Sequence, residues 1–83
     1  MDPKEVLMHY RAARAAGEES ACGNKIRHEE ERKAERHALN LNRRPAVLAG
    51  EKNRVEPYPC PFCFFWHVGR KMTTEEREKY GEK

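Results

Sequence analysis

The chain has 83 residues, of which 37% are charged and 37% apolar, and it carries a net charge of +3. That is one small domain with too few apolar side chains for a self-sufficient core, so a further staple such as a metal is expected. No apolar run approaches the roughly 18 to 20 residues of a membrane span, and three cysteines do not close a complete disulfide framework.

The charge is unevenly placed. From Lys25 to Arg54 nine basic residues stand against five acidic ones, whereas the first 24 residues sum to −1 and the last 29 to zero. Only the middle of the chain is basic. The opening Met1-Asp2-Pro3 begins no apolar leader, so the expected location is the cytoplasm, where thiols stay reduced and free for metal.

In chain order, the first predicted element is a helix over residues 3–16. Asp2 can accept from free N–H groups, Pro3 suits a first turn, and Gly17 suits a stop. Val6, Tyr10 and Ala13, with Leu7 beside them, form its apolar stripe. Glu18 to Gly23 reads as a linker or turn. A second helix is expected from about Glu29 to about Asn42, because three opening glutamates suit the positive end of a helix dipole. Ala34, Ala38 and Leu41 give it a narrow apolar seam that Leu39 widens, and Pro45 ends it.

Residues 45–53 read as a loop with one short apolar stretch. Residues 54–58 and 64–68 are expected to pair as short strands around a turn from Cys60 to Cys63. Pro57, Pro59 and Pro61 restrict that pairing to an edge or a kinked hairpin. Strand alternation then sets Phe64, Trp66 and Val68 on one face and Phe65 with His67 on the other. Thr73 and Glu76 have capping-box spacing, which predicts a short last helix over 74–80. The fold class that follows is a small α+β zinc-stabilised domain: two main helices, a zinc-knuckle β-hairpin and a short C-terminal helix. It divides into an N-terminal helix and linker (1–21), a zinc-binding core (22–72), and a short helix or frayed tail (73–83).

The chemistry concentrates in "YPCPFCFFWHVGR", residues 58–70. Structural zinc takes four thiolate or imidazole ligands in a tetrahedron, and a two-residue gap lets one tight turn direct Cys60 and Cys63 at one ion. His67, four residues on, can approach the same point. The fourth ligand must come from elsewhere, and the candidates are Cys22, His28, His37 and His9. A thiolate is preferred to a second neutral histidine on a charged helix, which favours Cys22 and leaves His28 as the substitute.

Other readings compete. Cys60-Pro61-Phe62-Cys63 has the form of a glutaredoxin dithiol, but only 20 residues follow Cys63 and the next segment reads as a strand, so that fold has no room. Cysteines can be plain buried apolar residues, against which the joint Cys-Cys-His spacing argues. A rubredoxin-like iron site would want four cysteines. Catalysis finds no support, because a Cys3His site leaves no open position on the metal and no nucleophile stands beside a positioned base.

The order Cys22-Gly23-Asn24-Lys25, an alanine-bearing helix, then Tyr58-x-Cys60-Pro61-x-Cys63-x-x-Trp66-His67-Val68 resembles the small, mostly uncharacterised zinc-ribbon-like proteins of bacteriophages and actinobacteria. The resemblance covers residues 22–70. It implies that Cys22 is the fourth ligand, that Trp66 is core and, for a phage-encoded chain, that the protein works in the bacterial host cell. The chain departs from it at Phe64 and Phe65, where such proteins usually carry Gly-Gly. Glycine there permits a left-handed turn that brings backbone N–H groups to the thiolates, a conformation that phenylalanine adopts poorly.

Two functions follow. The first is a non-catalytic structural-zinc module that binds nucleic acid or a nucleoprotein machine, with Lys25, Arg32, Arg36, Arg43, Arg44 and Arg54 tracking phosphates and Phe64 or Phe65 stacking. The competing account of those charges is a solvated helix face laced by pairs such as Glu29 with Lys33. The second function is a protein-binding adaptor, or a phage inhibitor of a host enzyme, resting on the aromatic pair and on a first helix free to dock on a partner.

Overall fold

A computed structural model describes residues 1–51 and 53–81. Position 52 of the expected loop and positions 82 and 83 of the expected tail lie outside the described residues. The elements are α1 (Pro3–Ala16), a π-helical turn (Glu19–Gly23), α2 (Glu31–Asn42), α3 (Pro45–Leu48), β1 (Val55–Pro59), β2 (Trp66–Arg70) and α4 (Thr74–Tyr80). The strands form one antiparallel hairpin, so the fold is a small α+β domain. No helix among the described residues is long and apolar enough to cross a membrane.

Helix α1 has the predicted bounds. The Asp2 carboxylate accepts from the Lys4 N–H at 2.8 Å, and Gly17, at φ 95°, closes the far end with its N–H on the Ala13 carbonyl. Its buried face is Met8, His9 and Ala13, rotated from the predicted Val6–Leu7–Tyr10 stripe. The rotation lays His9 over the Tyr58 ring of β1, at 6.3 Å between centroids. Helix α1 also packs on α4, where Arg77 reaches Glu5 at 3.4 Å and Arg11 donates to the Tyr80 carbonyl. The first helix is therefore docked on its own chain.

Helix α2 starts two residues later than predicted. His28 exchanges both backbone hydrogen bonds with Trp66, at 2.8 Å each, which keeps the chain extended through Glu30 before the helix begins. Ala34 and Ala38 are its buried seam, as the spacing predicts, and Lys33 pairs with Glu29 at 3.6 Å. Within the expected loop, Pro45 starts the single helical turn α3, because Arg44 before it is extended and proline suits a first turn.

The hairpin pairs Tyr58 with His67 and Pro57 with Val68. Asn42 fixes where β1 begins, since its side-chain amide donates to the Val55 carbonyl and accepts from the Val55 N–H, both at 2.9 Å. Strand β2 begins at Trp66 and not at Phe64, because Phe64 and Phe65 are taken up by the turn. The alternation predicted through Phe64 and Phe65 therefore does not exist. Tyr58 and His67 face α1 and the π-helical turn, while Val55 and Pro57 line a groove with Ala38 and Leu39 of α2. Helix α4 carries the predicted capping box between Thr73 and Glu76.

The interior is thin. Alanines, Met8 and two cysteines make up the buried apolar set, and the largest side chains below 2% exposure are His67 and Cys60. Trp66, implied to be core, is only half-buried. At the centre of this fold stand metal-ligating residue types where a larger domain would place leucine and phenylalanine.

Candidate metal centre

Two stretches of the chain deliver the cluster, the π-helical turn and the hairpin with its connecting turn. The π-helical turn presents Cys22, the connection that follows β1 presents Cys60 and Cys63, and β2 presents His67 on the same face as Tyr58. Their ligand atoms all lie within 4.8 Å of one another, and Cys22, Cys60 and His67 are buried. Such a donor set and span suit a tetrahedral metal site.

His67 is oriented from behind. Its Nδ1 lies 2.8 Å from the Ile26 carbonyl oxygen, which can only accept, so Nδ1 carries the proton and the Nε2 lone pair points into the cluster. Nε2 is 3.3 Å from the Cys63 sulfur. On the other side the Tyr58 hydroxyl donates to the Ala21 carbonyl, tying β1 to the residue that precedes Cys22. Burial, followed by the nearby thiols, holds the Tyr58 phenol well above its ordinary range, so it stays a donor.

The turn from Cys60 to Phe65 forms without glycine. Phe64 takes φ 64°, the left-handed region that phenylalanine enters at a cost. Two backbone hydrogen bonds hold it there, Phe64 N–H to Cys60 carbonyl at 3.0 Å and Cys60 N–H to Phe65 carbonyl at 2.9 Å. The Phe62 N–H reaches the Cys60 sulfur at 3.4 Å, and the Phe65 N–H serves Cys63. The backbone donors that a Gly-Gly pair would supply are thus present, and the strain sits at a ring that is 77% exposed.

The thiols are not equivalent. Burial, then hydrogen bonding with Cys63 and Cys60, pushes the Cys22 thiol up to about 11. Burial also raises Cys63, but the Phe65 amide, the neighbouring thiols and the Arg27 charge outweigh it, so Cys63 ends below its ordinary value. Cys63 is the sulfur most readily deprotonated of the two, and it is also the more accessible.

The remaining histidines are placed apart from the cluster's ligand atoms. His28 Nε2 and His37 Nδ1 are hydrogen-bonded to each other at 3.0 Å, and burial, followed by His37, keeps His28 easily neutral. His9 belongs to α1 and stacks on Tyr58. Of the residues expected to touch a partner, Arg32, Arg36, Arg43, Arg44 and Arg54 are exposed, and Arg43 caps α2 outside its helical residues. Lys25 is different, because it is half-buried beside Gly69 on the α1 side of the hairpin. Phe64 is fully out, and Phe65 is 36% exposed. Sequence reasoning missed Ile26 and Tyr58 as supports of the cluster; the Tyr58–His67 register would have revealed the second had the strand limits been known.

Comparison with protein-family models, with curated proteins and with solved structures yields no match to this chain.

Proposed function

We propose that Cys22, Cys60, Cys63 and His67 hold a structural zinc ion, and that the module so stabilised is a non-catalytic cytoplasmic protein binding nucleic acid or a nucleoprotein machine. This reading keeps the likeness to phage and actinobacterial zinc-ribbon-like proteins. Four soft or borderline donors suit zinc, and a site filled by four protein ligands leaves no position for a reacting water. The observation that carries the binding role is Phe64: an aromatic ring held into solvent on a strained turn is expensive unless the ring itself is used. Exposed Arg32 and Arg36, on the α2 face opposite Ala34 and Ala38, with Arg43, Arg44 and Arg54, would supply phosphate contacts.

The test is titration of a labelled single-stranded oligonucleotide at rising salt. Phosphate binding should fall steeply from about 50 to about 200 mM salt, and Phe64→Ala should weaken it further. Absence of binding at the lowest salt sinks this reading. The alternative, a protein-binding adaptor or inhibitor of a host enzyme, is favoured by the exposure of Ile26, Phe64 and Phe65, and would show partner capture that salt does not disrupt. On α1, which packs on its own chain through Met8, His9 and Ala13, Leu7 of the Val6–Leu7–Tyr10 stripe stays exposed while Val6 and Tyr10 are half-buried.

A further inference from the structure

A cleft of about 260 Å³ opens between α1, the π-helical turn and the hairpin, on the side of Tyr58 away from His67. Its room comes from short side chains: Ala12, Ala13 and Ala16 line the α1 wall, and Gly69 leaves space that a Cβ would fill to within 2.9 Å of the Tyr58 ring. Small residues create space without saying for what. The polar groups say more.

His9 lines the cleft and is 5% exposed, yet it makes no hydrogen bond among the described residues. Among the described residues no sealed side-chain nitrogen or oxygen lacks a partner, so the His9 ring nitrogens are open to the cleft that the ring lines. Such an imidazole can bond whatever occupies the cleft, water or a ligand. Lys25 stands at the same place, its ammonium 3.8 Å from where a Gly69 Cβ would lie, with no ion pair among the described residues. The carboxylates that border the cleft are engaged: Glu56 accepts from the Met72 N–H at 3.1 Å, and Glu76 is taken by Arg70 and Thr73. Among the charged side chains that line the cleft, Lys25 is thus the one without a partner among the described residues, and Ser20 adds a hydroxyl.

We propose that this cleft binds a small aliphatic anion. Its carboxylate or phosphate head pairs with Lys25 and hydrogen-bonds to His9 and Ser20, and its hydrocarbon part lies on the alanines of α1 and on Met72. The site is separate from the exposed arginines and from Phe64, so it stands or falls independently of nucleic-acid binding.

The test is an NMR titration of the purified full chain with butyrate and with monobutyl phosphate, using butylammonium as the control of equal length. Either anion should give saturable shifts at His9, Lys25 and Gly69, the tighter one identifying the head group, while butylammonium gives none. Lys25→Met should weaken binding by at least about tenfold, since a charge-assisted contact is lost. Ala16→Leu, a change at an exposed helical position that leaves the fold intact, should block the cleft. No saturable shift with either anion, equal shifts with butylammonium, or shifts that persist in both variants would overturn the proposal.

Discussion

The His67 imidazole is held by the backbone of Ile26, 41 residues away, through Nδ1 and a carbonyl oxygen at 2.8 Å. One hydrogen bond thereby sets the ring's tautomer and aims Nε2 at the three sulfurs.

His67→Ala should lose the metal and, from the emptied buried site alone, roughly 2–5 kcal/mol of stability. His67→Cys should keep a four-ligand site and retain metal, because tetrahedral zinc accepts four thiolates. Elemental analysis with thermal melts of both variants checks this. Equal metal content in wild type and His67→Ala would remove His67 from the ligand set.

The raised Cys22 thiol gives a pH signature. In the metal-free fold its proton is held from the ordinary 9.0 up to about 11, so the folded state binds that proton more tightly than the unfolded chain does. The associated stability is fully present below about pH 9 and is lost as pH rises toward about 11. Metal-free protein should accordingly melt lower across that window. The metal-loaded protein, whose thiolates are already deprotonated, should not share this alkaline loss, and loading at pH 7 should release protons. Alkylation of the metal-free chain at neutral pH should mark Cys63 before Cys22.

Tyr58→Phe removes the bond from β1 to the Ala21 carbonyl while keeping the ring that stacks on His9. Leaving that carbonyl unpaired should cost about 1–3 kcal/mol. Because Ala21 precedes Cys22, metal affinity should also fall by about 10 to 100-fold, the usual effect of losing a group that supports a ligand. A competition titration against a chromophoric chelator reads it. An unchanged affinity would mean that the π-helical turn positions Cys22 without help from β1.

Helix limits were legible where the signals are local. Asp2-Pro3 with Gly17 bounded α1, and Thr73 with Glu76 bounded α4, since caps depend on neighbours in sequence. The Cys60–Cys63–His67 grouping was legible for the same reason. What escaped depends on contacts across the chain. The start of α2 is set by His28 pairing with Trp66, the face of α1 by the Tyr58 ring, and the start of β2 by the two residues that the turn consumes. The left-handed Phe64 ran against residue preference, because two backbone hydrogen bonds and a cluster of buried sulfurs decide that turn collectively.

That residue gives the sharpest separation of stability from function. Phe64→Gly relieves the positive φ and should stabilise the metal-loaded protein by about 1 kcal/mol, less than the full strain because glycine adds freedom to the unfolded chain. For a domain of this size the melting temperature should rise by about 4–8 °C. The same change deletes the exposed ring, so binding of the natural partner should weaken while the fold gains. Phe64→Ala removes the ring without relieving φ, and so should bind as poorly as the glycine variant but melt no higher than wild type. Should Phe64→Gly instead melt lower, the ring packs against its own chain and is not kept for a partner.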